Sequence, residues 1–272
     1  QKSNERLQKE FIQKTAITDL ILEKIESAVI KVPAIDPAII QYPKTSFKHS
    51  PQEACLILSD LHIGLTCIPE EVGGLGNYNK DIFIKRLNNL ITSITKIVQY
   101  HRQSYKIDVL NIFGIGDFVH GSNDAGQWGM LHTEQNIMDQ IFLAIREVTT
   151  AILTLSKVFP TINFYGIYGN HGRVGKRGIE KNYVNLYYIT YKFIESNLSN
   201  QKNINFFIPK SNWQIAEVQG SKFLLIHGDQ VKMWNGIPFY GLLRAEGKFR
   251  NMLSRDKSKS KALELLAKSN VD

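Results

Sequence analysis

Ala54–Gly64 reads A-C-L-I-L-S-D-L-H-I-G, and the change of character inside it decides the fold. The apolar run Ala54–Leu58 stops abruptly before Asp60 and His62. A continuous apolar run of that length predicts a strand buried on both faces, as in a parallel sheet covered by helices. Asp60 and His62 are two residues apart, so extended backbone would point their side chains the same way. A carboxylate and an imidazole sharing one direction at a strand end can begin a divalent-metal site. Asp and His are also ordinary turn residues, and what favours chemistry is that the arrangement recurs downstream.

Ile107–Ile115 is a second apolar run, leading through Gly116 to Asp117. Ile162–Tyr168 is a third and ends in Gly169-Asn170-His171, and Phe223–Ile226 ends in His227-Gly228-Asp229. Between them, residues 79–103, 134–158 and 181–199 have helical periodicity, the last through Tyr183, Leu186, Tyr187, Tyr191, Ile194 and Leu198. Asn205–Ile208 and Trp213–Val218 are further short strands. The order β-α-β-α-β-α followed by β-β-β predicts a layered α/β domain whose later strands form a second, antiparallel sheet. Ligand sites in open α/β sheets gather beyond the carboxyl ends of the strands. Asp60, His62, Asp117, Asn170, His171 and His227 should therefore share one crevice. Carboxylate, imidazole and amide oxygen without thiolate suit Mn²⁺, Fe or Zn²⁺ rather than a structural zinc cage.

Composition sets the bounds. The 272 residues are 43% hydrophobic and 21% charged, an ordinary globular balance with enough chain for a sizeable core. No apolar stretch is long enough to span a bilayer and no signal peptide is visible. Cys55 and Cys67 form neither a disulfide framework nor a CxxC pair, which points to a reducing, cytoplasmic setting. A formal charge of +8 suits a polyanionic partner such as nucleic acid, and equally a merely basic enzyme. Residues 3–30 carry an apolar stripe of helical spacing, and Pro33, Pro37, Pro43 and Pro51 punctuate an extended connector over 31–52. The expected organisation is an N-terminal helix and connector over 1–52 and the main domain over 53–272.

S-D-L-H-I-G (59–64), G-D-F-V-H-G (116–121) and G-N-H-G-R (169–173), followed by a strand-terminal His227, resemble the ordered motifs of the calcineurin-like metallophosphoesterase superfamily. The likeness is greatest to its phage and bacterial branch, which includes nuclease subunits of DNA-repair complexes. The resemblance implies a layered α-β-β-α sandwich, here with an N-terminal helical extension. It implies two divalent cations, Mn²⁺ first with Fe or Zn²⁺ as alternatives. Asp60 and His62 would hold one cation, Asn170 and His227 the other, and Asp117 would bridge them. His171 would stand near the substrate, stabilising the transition state or protonating the leaving oxygen. Two cations about 3.5–4 Å apart acidify a water and stabilise the attacking and leaving oxygens of a displacement at phosphorus. The implied function is hydrolysis of phosphate diesters of nucleic acid or nucleotides. The alternatives are a phosphomonoesterase, acting on protein or small molecules, and a weakly active binding or scaffold module.

Departures from the family pattern are specific. Gly172 and Arg173 stand where an acidic residue usually follows Gly-Asn-His, and Arg173 could clamp a phosphate or lie solvated in a loop. His120 occupies a position where many family phosphatases carry Asp, which argues against the protein-phosphatase branch. His120 and Arg173 are thus candidate substrate-binding residues. His132 and Trp128 lie in or just after the Gly121–Gly129 loop, which could line the crevice. Trp234, Gly236, Pro238, Phe239 and Tyr240 could stack on a base or pack beneath the site. The basic run Arg244–Lys261 could bind phosphate backbone or be a solvated face, and His49 and His101 read as surface residues. No histidine follows His227, so the family's last Gly-His-x-His motif is absent. Lys259–Ser269 reads as the helix that would precede it. With Gln1 in place of Met, the expectation is a chain cut at both ends. A following segment or a partner chain would then supply the remaining ligands.

Overall fold

The computed structural model describes residues 36, 38–42, 50–121, 133–174, 181–231, 233 and 237–255. The helices expected at 3–30 and 259–269 lie outside them.

Strands β1 (Gln52–Leu58), β2 (Ile107–Gly114), β3 (Thr161–Gly166) and β4 (Ile204–Phe207) form a parallel sheet in that spatial order. Helices α1 (Lys80–His101), α2 (Ile137–Ser156) and α3 (Leu186–Asn197) make the crossovers. Each crossover steps one strand the same way, so a single handedness puts all three helices on one face. Leu110, Ile112, Ile162 and Phe164 line that face and pack with Phe83, Leu87 and Ile91 of α1, Val148 and Ile152 of α2, and Tyr191 and Ile194 of α3. Each helix starts at an asparagine whose side chain accepts a backbone N–H of the first turn: Asn79, Asn136 and Asn185. Because Asn185 is the cap, residues 181–184 are not helical as their periodicity suggested.

Alternate side chains point to the sheet's other face. There Phe113 and Tyr165, with Ile167 just beyond β3, pack against Ala216, Val218 and Leu225 of a second sheet. That sheet is the antiparallel hairpin of β5 (Trp213–Val218) and β6 (Ser221–Ile226). Its two-residue turn, Gln219-Gly220, has positive φ at both positions (51° and 76°), as a tight hairpin requires. Helix α4 (Phe239–Arg255) lies outside the hairpin, with the Phe249 ring edge-on to Trp213 at 5.6 Å. The layers are α-β-β-α, as expected.

Two expectations need correction. The first strand is not buried on both faces: β1 has one neighbour among the described strands, Cys55 is exposed and Ile57 is 66% exposed. The last three strands do not form one sheet either, because the α3 crossover delivers β4 parallel to β3. A polar ladder also crosses the hairpin-facing side. Asn205 donates to Asn163 (2.9 Å), Asn163 to Asn111 (3.0 Å) and Asn111 to Glu53 (2.8 Å). It satisfies the buried amide of Asn111 and runs outward through half-buried Asn163 to exposed Asn205, linking all four strands. Among the described residues no helix is long and apolar enough to cross a membrane.

Candidate metal centre

The register aligns Leu58, Gly114 and Gly166, so β1, β2 and β3 end level. Beyond them the chain turns sharply. Asp60 (φ 54°), His62 (φ 42°) and Asp117 (φ 53°) are all left-handed, a conformation uncommon outside glycine. The expected reason for Asp60 and His62 sharing a direction is therefore wrong. They lie past the strand, and two left-handed turns rather than strand alternation bring His62 Nε2 to 3.7 Å from Asp60 Oδ1. The two loops hold each other in this shape: Asp60 N–H donates to Gly116 O (3.1 Å) and His62 N–H to Asp117 O (2.9 Å). Strained residues of this kind cost on the order of 1–3 kcal/mol each and persist where surrounding contacts over-determine them.

Asp60, Asp117 and His227 each place a ligand atom within 4.8 Å of the others. The Nδ1–H of His227 donates to Ile115 O (2.7 Å), which fixes the ring and turns Nε2 inward. Nε2 then lies 3.0 Å from Asp117 Oδ2 and 3.0 Å from Asn170 Oδ1. Asp117, 2% exposed, also receives the backbone N–H of His171 on Oδ1 (3.0 Å). The Nδ1–H of His171 donates to His120 O (2.7 Å), leaving its Nε2 3.9 Å from Asp117 Oδ2. His62, His120 and His171 form a second group, again with one ring nitrogen each within 4.8 Å. All six expected ligand and catalytic side chains come together, and His120 with them.

Charge follows from this packing. Burial pushes the Asp117 carboxyl up, but the hydrogen bond and charge of His227, with the His171 amide, outweigh it and hold it below the usual carboxylate range. Burial lowers His227, yet the Asp117 hydrogen bond and charge raise it above the usual imidazole value. His62 is lowered, first by burial and then by the neighbouring His171. His227 Nε2 faces two oxygens, Asp117 Oδ2 and Asn170 Oδ1.

Sequence reasoning missed the supports. Tyr187, read only as part of an apolar stripe, brings its hydroxyl to Val119 O (2.8 Å) and Asp117 Oδ1 (3.3 Å). Asn185 caps α3 and also donates to Gly169 O (3.1 Å), fixing the turn before Asn170. A Cβ on Gly172 would come within 2.4 Å of Asn185 Oδ1, so the departure at Gly172 is steric. Arg173, partly exposed, pairs with Asp229, tying the Asn170 loop to the His227 loop. That pairing was not legible, because nothing local links positions 173 and 229. His101 is exposed, as expected. Phe239 (70%) and Tyr240 (68%) are exposed rather than packed beneath the site. His49, Trp128, His132, Trp234 and Gly236 lie outside the described residues.

The donor set fits cations. Two ligands at right angles, each about 2.1 Å from a metal, stand about 3 Å apart. Asp117 Oδ2 and Asn170 Oδ1 stand at that distance from His227 Nε2. His62 Nδ1 is buried with no hydrogen-bond partner, a polar atom left unsatisfied by the protein alone.

The family model for the calcineurin-like phosphoesterase domain matches residues 55–271. The chain belongs to the calcineurin-like phosphoesterase family, a family of metal-dependent phosphoester hydrolases. No curated protein matches it in sequence. Among solved structures, the phosphopantetheinyl hydrolase of Mycobacterium tuberculosis aligns at 11% identity and a TM-score of 0.27. That alignment covers 67% of this chain and 44% of the hydrolase chain.

Proposed function

We propose that this chain hydrolyses phosphate diesters of nucleic acid or nucleotides at a centre of two divalent cations, Mn²⁺ being the favoured ion. The observation that carries the reading is the position of Asp117. It places a ligand atom within 4.8 Å of Asp60 and of His227, and His227 Nε2 is in turn 3.0 Å from Asn170 Oδ1. One cation would be held by Asp60, His62 and Asp117, the other by Asp117, Asn170 and His227. Such ions, when bound, polarise phosphoryl oxygens and make a water acidic enough to attack at neutral pH.

The chain's own residues supply orientation and proton handling. Asp117 is held on Oδ1 by the backbone N–H of His171, which orients the shared carboxylate. His171, its Nδ1 proton committed to His120 O, presents Nε2 above Asp117, where it meets the leaving oxygen. Once protonated there, it would hand that oxygen its proton. The wording of the motifs supports a reading nearest the phage and bacterial branch. A polyanionic substrate is supported by the +8 charge and by exposed Arg244, Lys248 and Arg250 on α4, although Arg250 also pairs with Glu246.

A turnover panel with Mn²⁺ tests this: a chromogenic diester, the matching monoester, and single- and double-stranded DNA and RNA. Diester and nucleic-acid turnover well above monoester turnover is expected. A preference for the monoester would overturn the substrate class. Tight cation binding with no turnover of any substrate would point to a binding module.

A further inference from the structure

The ligands of the second cation come from two different sheets. Asn170 follows β3 of the parallel sheet, His227 follows β6 of the hairpin, and among the described strands no ladder joins the two sheets. The hairpin rests on the parallel sheet through Ala216, Val218 and Leu225. Apolar packing is non-directional, so it does not by itself fix the 3.0 Å between His227 Nε2 and Asn170 Oδ1. Arg173 and Asp229 span this seam. Arg173 closes the Asn170 loop, and its backbone pairs with Asn185 in an antiparallel bridge. Asn185 also donates to Gly169 O (3.1 Å), so the loop is braced at both ends beside α3. On the hairpin side, Gly228 (φ 108°) turns the chain directly after His227, and Val231 N–H closes onto Gly228 O at 2.9 Å. That turn sets Asp229 against Arg173, whose Nη2 donates to Asp229 Oδ2. The two side chains are 27% and 11% exposed, so water and salt screen the pair only in part.

We propose that the Arg173–Asp229 pair is a positioning device for the second cation site: it locks the hairpin loop to the parallel-sheet loop, so that Asn170 and His227 stand at ligand spacing before a cation arrives. The first site needs no such lock. Asp60, His62 and Asp117 lie on loops of one sheet, already joined by the backbone hydrogen bonds Asp60 N–H to Gly116 O and His62 N–H to Asp117 O. Positioning differs in sign from electrostatic tuning. A charge acting through space would tighten cation binding when Arg173 is neutralised and weaken it when Asp229 is neutralised. A lost lock weakens binding in both cases, and by a similar factor.

The inference rests on the two-cation reading of the crevice, and equilibrium dialysis with Mn²⁺ separates the two. Bound Mn²⁺ is counted for the native chain, Arg173→Gln, Asp229→Asn, the double variant and Arg173→Lys, and thermal unfolding of each metal-free chain checks that it folds. The native chain should hold two ions. Each neutral single variant should keep one and bind the other about 10–100-fold more weakly. The double variant should be no weaker than either single variant, because the bridge is lost only once. Arg173→Lys, which keeps the charge, should recover part of the affinity. Two ions held with native affinity in the folded single variants would overturn the proposal while leaving the metal centre intact. Opposite changes in the two single variants would overturn it in favour of a through-space charge effect, and additive losses in the double variant would show two independent roles instead of one lock. No ion in the native chain would overturn the metal-centre reading itself.

Discussion

The phenol oxygen of Tyr187, on α3, lies 3.3 Å from Oδ1 of Asp117, the carboxylate at the middle of the crevice. Its shorter hydrogen bond is to Val119 O, at 2.8 Å, on the loop that continues from Asp117. Tyr187 is fully buried, and burial together with the charge of Asp117 raises its pKa well above the usual phenol value. The proton therefore stays on the phenol, and helix α3 is coupled to the centre through one donor.

Tyr187→Phe removes that donor and leaves Val119 O buried without it. The expected cost is about 1–3 kcal/mol of stability, read by denaturant unfolding. Because the same hydroxyl braces Asp117, Mn²⁺ affinity should fall by about 10–100-fold, read by titration calorimetry. Lost stability with unchanged affinity would reduce Tyr187 to a packing residue.

Asp117→Asn removes the charge that both ligand sets share. Two cations held close together repel without an intervening anion, so occupancy of both should drop and turnover should fall by orders of magnitude. Metal analysis of the purified variant beside its turnover with Mn²⁺ decides the point. Normal content and normal rate would remove Asp117 from the centre.

His171→Gln should separate binding from chemistry. Cation content is expected to stay, while hydrolysis slows by about 10²–10⁴-fold, the range for a lost proton donor. A rate within a few-fold of the native chain's would show that the leaving oxygen takes its proton elsewhere.

Cations should also stabilise the fold, because the ligands come from four separated loops that only the native chain brings together. At a free Mn²⁺ concentration 100 times the dissociation constant, each site adds about 2.7 kcal/mol. Thermal unfolding should move upward with Mn²⁺ and return on chelation. An unfolding temperature insensitive to Mn²⁺ would count against a native-state site.

What the sequence alone determined is whatever local pattern can encode. The alternation of apolar runs with helical periodicity set the layered α/β class, and polar residues at each run's end named Asp60, His62, Asp117, Asn170, His171 and His227. Side-chain periodicity and ligand chemistry are local, so no coordinates were needed. The tertiary structure decided what depends on partners distant in the chain. It put β4 in the parallel sheet and left β1 as an edge with Ile57 exposed, because pairing is settled by crossovers rather than by composition. It made the Asp60–His62 geometry a product of left-handed turns locked by the Asp117 loop, a conformation no spacing rule reports. It turned Arg173 toward Asp229, the Tyr187 hydroxyl toward Asp117 and the His120 ring toward His62. Each of these joins residues far apart in sequence. A contact of that kind is fixed only once the sheet has brought the loops together, because the chain entropy lost in closing them is repaid by the packed core and not by the contact itself.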